Sequence, residues 1–154
     1  MARKAPPFES IHRHGFVRCA AASPTASSGD VAFNIAQAIA LAKLGHERGF
    51  VTYTNEAKNE MLGVPMELLR ERGAVSREVA IAMAEAALER SRANIAVSIT
   101  GFADKGDEPG LVHFGCARSG RATAHREEHF GDRGRGATRI ACMKVAIEMM
   151  TEML

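Results

Sequence analysis

The segment from Asn94 to Thr100 is the feature that most constrains how this chain can fold. It is almost continuously apolar and rich in β-branched side chains, and Gly101 ends the run. A run of strand length without polar alternation is typical of a β-strand that is covered on both faces. Covering both faces requires helices on both sides of the sheet, so the chain is predicted to be a three-layer α/β/α protein.

The rest of the chain alternates between strand-like and helix-like patterns. Further strands are predicted over 15–21, 49–53 and 111–117, and the segment 121–130 is predicted to be the hairpin partner of the last of these. Helices are predicted over 31–44, 55–61 and 65–72, from Ser76 onward, and over 137–153. Asn55 is predicted to cap the second of these helices. The alternation favours one domain over 15–154, after a frayed leader at 1–14, with a mixed, mainly parallel sheet that has an antiparallel edge.

Composition excludes several classes of protein. The 154 residues carry a net charge of +2 and no Trp, which argues against a nucleic-acid partner. The three cysteines, Cys19, Cys116 and Cys142, form no CxxC pair, so they are predicted to be inert thiols in a reducing compartment. No run is long and apolar enough for a membrane span or a signal peptide, and a cytoplasmic location without a membrane partner is therefore expected.

Polar side chains with catalytic potential follow the strand predicted over 49–53. Tyr53 ends this strand, and Asn55 and Lys58 follow in the first turns of the next helix. A lysine at the end of a buried strand can be desolvated, which favours the neutral amine that a general base requires. Taken alone, Lys58 is more often a solvated helix charge.

Several ordered motifs resemble the CinA C-terminal family of small amidohydrolase domains. The chain has RGFVTYTNEAK at 48–58, MLGV at 61–64 and GAVS at 73–76, similar to the family pattern GxVxYxNxxKxxxLGV followed by GAVS. Further blocks are RAN at 92–94 leading to Thr100-Gly101, GLVHF at 110–114, and FGDR at 130–133 followed by Arg139. The resemblance implies hydrolysis of the carboxamide of nicotinamide mononucleotide to nicotinate mononucleotide and ammonia.

The same resemblance implies roles for individual residues. Ser23 is expected to be the nucleophile, with Lys58 and Tyr53 transferring protons. The expected substrate-binding residues are Thr25, Asn55, Thr100, Gly101 and Arg139. No metal and no cofactor are expected, the expected partner is a small nucleotide, and the methionine-rich last helix is consistent with a homo-oligomer.

Two departures from the family pattern support an alternative. The family's serine motif, Ala-Glu-Ser-x-Thr-Gly-Gly, corresponds here to Ala-Ala-Ser-Pro-Thr-Ala-Ser at 21–27, which lacks the acid and both glycines, and the loop after Gly101 carries Asp104 and Asp107. The alternative is a catalytically impaired relative that binds a nucleotide or serves as an oligomeric interaction module. The Ala-, Arg-, Ser-, Pro- and His-rich composition of 1–46 would also fit out-of-frame translation of a GC-rich gene.

Three histidines, His113, His125 and His129, are predicted to be structural, because the sequence shows no acidic side chain converging on them.

Overall fold

A computed structural model describes residues 14–18, 46–103 and 107–154, with side chains from Arg48 onward. Ser23, Thr25 and the helix predicted over 31–44 lie outside the described residues. The strands are β1 (His14–Arg18), β2 (His46–Val51), β3 (Ile95–Gly101), β4 (Leu111–Arg118) and β5 (Ala124–His129). The helices are α1 (Asn55–Leu62), α2 (Met66–Arg72), α3 (Arg77–Glu89) and α4 (Arg135–Met153).

The five described strands form one mixed sheet in the order β2-β1-β3-β4-β5. β1 is parallel to both β2 and β3, whereas the β3–β4 and β4–β5 pairs are antiparallel. The prediction of a mainly parallel sheet is therefore wrong for the described strands, since the pairings divide evenly. The connections over 102–110 and 119–123 are too short for the crossover of about a dozen residues that a parallel pair needs.

Helices cover both faces of the central strand, as the apolar run predicted. Every residue of β3 is buried. Ile95, Val97 and Ile99 belong to an apolar cluster that they share with α4. Ala96 faces the other way and packs in a second cluster with residues of α3 such as Met83. The three-layer arrangement of helix, sheet and helix follows from this alternation.

Hydrogen bonds of a buried serine hydroxyl hold α3 against the sheet. The helix begins after Ser76, whose Oγ accepts a hydrogen bond from the Val79 amide at 3.4 Å. The Ser98 hydroxyl of β3 donates to the Ala80 carbonyl at 2.5 Å and accepts from the Gly115 amide of β4 at 3.2 Å. One hydroxyl therefore links α3, β3 and β4.

α4 buries only one of its apolar faces. Val145 and Met149 pack against the sheet, whereas Ile140 and Ile147 are 54% and 40% exposed. The described part of the chain therefore leaves the outer side of the helix open. No helix in the described part of the chain has the length and hydropathy needed to cross a membrane.

Two of the three cysteines have buried side chains, which agrees with the prediction of inert thiols. Cys116 lies in β4 and Cys142 in α4. Burial raises the pKa of Cys116 to about 12, so almost none of it is thiolate near neutral pH. Cys19 lies outside the described residues.

Candidate active site at one edge of the sheet

The carboxyl ends of the three parallel strands meet at one edge of the sheet. β1, β2 and β3 end at Arg18, Val51 and Gly101, respectively. β1 lies between the other two strands. After β1 the chain forms β2 on one side of it and later returns to form β3 on the other side. A reversal of this kind opens a crevice beyond the strand ends, which is the usual ligand site of open α/β sheets. The segment that contains Ser23 and Thr25 follows β1 in the chain.

Lys58 is completely buried beside this edge. It lies in α1, which begins just after β2, and its relative exposure is 0%. Its Nζ donates to the Thr54 carbonyl over 3.5 Å, which is long for a hydrogen bond. Burial of an ammonium group is costly unless strong partners compensate it. Lys58 is therefore not an ordinary solvated helix charge.

The helix cap is one residue earlier than predicted. The side chain of Thr54, and not that of Asn55, caps α1, because its Oγ1 accepts from the Ala57 amide at 3.0 Å. Asn55 is the first helical residue and is half-buried. Tyr53 is also half-buried and lies between β2 and α1, because the strand ends at Val51. The catalytic and binding roles of Tyr53, Asn55 and Lys58 stay predictions.

Thr100 and Gly101 end β3 in a tightly packed position. Thr100 is fully buried, and its hydroxyl donates to the Ala74 carbonyl at 2.6 Å. A Cβ atom on Gly101 would lie 2.7 Å from the Leu111 carbonyl oxygen. Both residues thus have packing functions at this edge, beside the substrate-binding roles predicted for them.

The GAVS motif at 73–76 forms the connection into α3. Ala74 accepts the Thr100 hydroxyl, and Ser76 caps the helix. The Ser76 hydroxyl also donates to the Gly73 carbonyl at 3.1 Å. The motif therefore places the amino end of α3 next to the carboxyl end of β3.

Arg139 lies near the amino end of α4 and is 7% exposed. The register of the sheet places that helix end at the same edge, because His129 at the end of β5 pairs with Leu111 and the Phe130 amide donates to the Gly110 carbonyl. Two helix amino ends, those of α3 and α4, thus lie at this edge. Helix amino ends and guanidinium groups both favour anions.

A cluster of histidines and glutamates lies beside Thr100 on the neighbouring strands β4 and β5. His113 of β4 pairs with Thr100 on one side and with Glu127 of β5 on the other. The Nδ1 atom of His113 lies 3.2 Å from Nε2 of His125 and 3.5 Å from Oε2 of Glu127. The fold thus brings His113 to an acidic partner that the sequence did not reveal, while the structural role of these histidines stays a prediction.

His129 extends the cluster to a second carboxylate. Its Nε2 lies 2.9 Å from Oε1 of Glu127, and its Nδ1 lies 2.5 Å from Oε1 of Glu108. The alternation of His125, Glu127 and His129 along β5 could have indicated a shared face. Their convergence with His113 depends on the register of β4 and β5, which the sequence alone does not specify.

The surroundings shift the pKa values of the histidines in this cluster in different directions. Burial lowers the pKa of His113 and of His125, and it outweighs the opposite effect of Glu127, so both rings are neutral near pH 7. Hydrogen bonds to Glu127 and Glu108 raise the pKa of His129. The hydrogen bond from His129 lowers the pKa of the Glu127 carboxyl.

Together these features define a mixed α/β/α domain with a candidate site at the carboxyl ends of its parallel strands. The chain belongs to the CinA C-terminal domain family, whose model matches residues 10–154. The match confirms the resemblance seen in the motifs, and it extends upstream of Arg48, where those motifs begin.

Curated relatives match a shorter part of the chain. The nicotinamide-nucleotide amidohydrolase PncC of Escherichia coli K12 is 50% identical over 93 residues, which are 56% of this chain and 56% of that protein. A putative competence-damage inducible protein of Caldicellulosiruptor bescii is 44% identical over 92 residues, which are 56% of this chain and 22% of that protein. The chain thus spans about half or less of the length of these relatives.

Solved structures show that the fold is shared over most of the chain. The competence/damage inducible protein CihA from Agrobacterium tumefaciens has a TM-score of 0.77 and 37% identity, covering 94% of this chain and 87% of that one. A CinA superfamily protein from Escherichia coli has a TM-score of 0.72 and 25% identity, covering 93% of this chain and 81% of that one.

Proposed function

We propose that this protein hydrolyses the carboxamide of nicotinamide mononucleotide, giving nicotinate mononucleotide and ammonia. The observation that carries the proposal is the complete burial of Lys58 beside the end of β2, within a motif that resembles the family pattern. A relative that is 50% identical over the matched segment is named as a nicotinamide-nucleotide amidohydrolase, which supports the same activity.

In the proposed mechanism Ser23 attacks the carboxamide carbon while Lys58 accepts its proton. Tyr53 assists by passing the proton to the amide nitrogen, so that the C–N bond breaks and ammonia leaves. Water then attacks the acyl-enzyme, returns a proton to Ser23 and releases the carboxylate product. Backbone amides at the strand ends stabilise the oxyanion in both steps.

The substrate would be held through its phosphate and its amide. Arg139, near the amino end of α4, and the Thr100-Gly101 end of β3 would bind the phosphate together with Thr25. Asn55, at the start of α1, would orient the carboxamide. Buried donors at the edge of a sheet suit this task because they are rigid and poorly hydrated.

The alternative is a relative that binds the nucleotide but turns it over poorly. The observation that favours it is the segment 21–27, which lacks the acid and the two glycines of the family's serine motif. Glycines allow backbone amides to approach an oxyanion closely, so their loss weakens this stabilisation.

One assay separates these two functions. The full chain is incubated with nicotinamide mononucleotide, and ammonia and nicotinate mononucleotide are measured in parallel with calorimetric binding. Equal amounts of both products support the amidase. Binding without products supports the impaired relative, and neither binding nor products contradicts both. Nicotinamide riboside, which lacks the phosphate, is the matched control and should bind more weakly.

We also propose that the protein acts in the cytoplasm as a homo-oligomer. Ile140 and Ile147 lie two helical turns apart on the uncovered side of α4, an apolar surface that a second copy would bury. Light scattering should show an oligomer that Ile140→Asp dissociates, and cell fractionation tests the location. A wild-type monomer in solution would contradict the assembly.

A further inference from the structure

We infer that His113, His125 and Glu127 form a binding site for a divalent transition-metal ion of the zinc type. One ligand atom from each side chain lies within 4.8 Å of the other two. The site is separate from the catalytic residues proposed above and does not depend on the amidase activity.

The spacing of the donor atoms fits a small ion. Zinc binds imidazole nitrogen and carboxylate oxygen at about 2.0–2.2 Å in a tetrahedral arrangement, which places neighbouring ligand atoms about 3.3–3.5 Å apart. The two separations that involve Nδ1 of His113 are 3.2 Å, to His125, and 3.5 Å, to Glu127. An ion would therefore fit between these atoms with only small rotations of the side chains.

Hydrogen bonding alone satisfies this arrangement poorly. Nδ1 of His113 faces a ring nitrogen and a carboxylate oxygen at once. If Nδ1 carries a proton, His125 and Glu127 compete for it. If it does not, Nδ1 can accept a hydrogen bond from Nε2–H of His125, but its lone pair then also faces the Glu127 carboxylate. A cation between the three atoms removes this conflict, because all three then act as electron-pair donors.

Neighbouring side chains orient the carboxylate ligand. The oxygen of Glu127 that does not face His113 is 2.9 Å from Nε2 of His129, and His129 is in turn 2.5 Å from Glu108. Hydrogen bonds from a second layer of residues hold metal ligands in place and contribute strongly to affinity. The chain of Glu108, His129 and Glu127 has this form.

The position of the cluster leaves a route for the ion and for a water ligand. The His113 ring is buried, whereas the Glu127 side chain is 46% exposed. Three protein ligands with one side open to solvent leave the fourth coordination position to water. Because the ligands come from two strands, the ion would fasten β5 to β4 directly beside Thr100.

The test is a metal titration of the full chain after treatment with a chelator. Zn²⁺ should bind with one equivalent at the cluster in competition with a chromophoric chelator, and Co²⁺ should give the visible absorption of a tetrahedral complex. Glu127→Gln and His125→Gln should each weaken binding at least tenfold and abolish that absorption. His129→Gln, which removes only the orienting hydrogen bond, should weaken binding by a smaller factor.

The matched control is Glu128→Gln, on the opposite face of β5 and paired with Val112. It removes the same charge from the adjacent position and should leave the affinity unchanged. Circular dichroism confirms that each variant is folded. Equal affinity in Glu127→Gln, His125→Gln and the wild type, or no binding by the wild type, would overturn the assignment and would show adventitious binding at most. Ammonia release is not a readout, so failure here leaves the proposed amidase intact.

Discussion

Thr100 of β3 and His113 of β4 are paired directly across the sheet. The Thr100 hydroxyl binds the loop before α3, while the His113 ring faces His125 and Glu127. The carboxyl end of β3 thus joins two sets of polar side chains that are distant in sequence. One set belongs to the proposed nucleotide site and the other to the proposed metal site, so an ion bound at the second would restrain the strand next to the first.

Replacement of Lys58 should separate activity from stability. Lys58→Met keeps the length of the side chain and removes a buried amine, so we expect the free energy of unfolding to be unchanged or to rise by about 1 kcal/mol. Ammonia release should fall at least about 100-fold, the lower range for loss of a general base. Urea unfolding and the ammonia assay measure the two effects.

Lys144→Met is the control for this substitution, because Lys144 is an exposed residue of α4. It should change neither quantity appreciably. Activity retained in Lys58→Met would remove the proposed base, whereas a large loss of stability would show that the buried amine is mainly structural.

Arg139 should be responsible for protection by phosphate. Inorganic phosphate is expected to raise the melting temperature of the wild type, because ligand binding to the native state alone stabilises it. Arg139→Gln keeps a polar side chain of related shape but removes the charge, and the phosphate-induced shift should disappear. Lys144→Gln removes a charge from the same helix and should keep the shift. An equal shift in Arg139→Gln and wild type would contradict the anion site.

Much of the fold could be predicted from local patterns. The apolar run at 94–100 predicted β3 within one residue and its burial on both faces, and Ser76 was placed correctly at the start of α3. The boundaries of β2 and β5 were less accurate because their ends carry polar residues, which local preference assigns equally well to loops. The prediction of a mainly parallel sheet was wrong because strand direction depends on the length of each connection.

The polar clusters were harder to predict, for a physical reason. Lys58 could be singled out only by its resemblance to a family motif, since nothing in the local pattern shows that the first turns of α1 are covered. The contacts among His113, His125 and Glu127 depend on the register of β4 against β5. A shift of one residue would place the side chains of β5 on the other face, and only tertiary packing fixes the choice.

Two glycine substitutions should have opposite effects on stability. In Gly101→Ala the new methyl group would lie 2.7 Å from the Leu111 carbonyl oxygen and from Cγ2 of Val112, so we expect a loss of about 1–3 kcal/mol. In Gly136→Ala, in the first turn of α4, no atom of the described residues outside the neighbouring helix backbone lies within 4 Å of the methyl position. This variant should gain up to about 1 kcal/mol by restricting the unfolded chain.

Urea unfolding of both variants measures these changes. Unchanged stability in Gly101→Ala would mean that β4 moves away from the end of β3 at little cost, and the close contact would then not explain the glycine.

The nucleophile assignment gives the most demanding prediction. Ser23 follows the end of β1 by five residues. β1 lies between β2, which is followed by the helix that contains Lys58, and β3, which contains Thr100 near its end. An extended chain spans at most about 3.6 Å per residue, so Ser23 is within reach of either strand end. Ser27 and Ser28, which directly precede Gly29-Asp30, suit turn or helix-cap positions better.

Ser23→Ala should therefore abolish ammonia release while nucleotide binding stays nearly unchanged, because the variant loses only the oxygen that forms the acyl-enzyme. Ser27→Ala and Ser28→Ala remove equivalent hydroxyls from the same segment and should retain most of the activity. Rapid quenching followed by mass spectrometry should detect a covalent adduct on the peptide that contains Ser23 in the wild type and not in Ser23→Ala. Full activity in Ser23→Ala would reject this mechanism, since no other group in it attacks the carboxamide carbon.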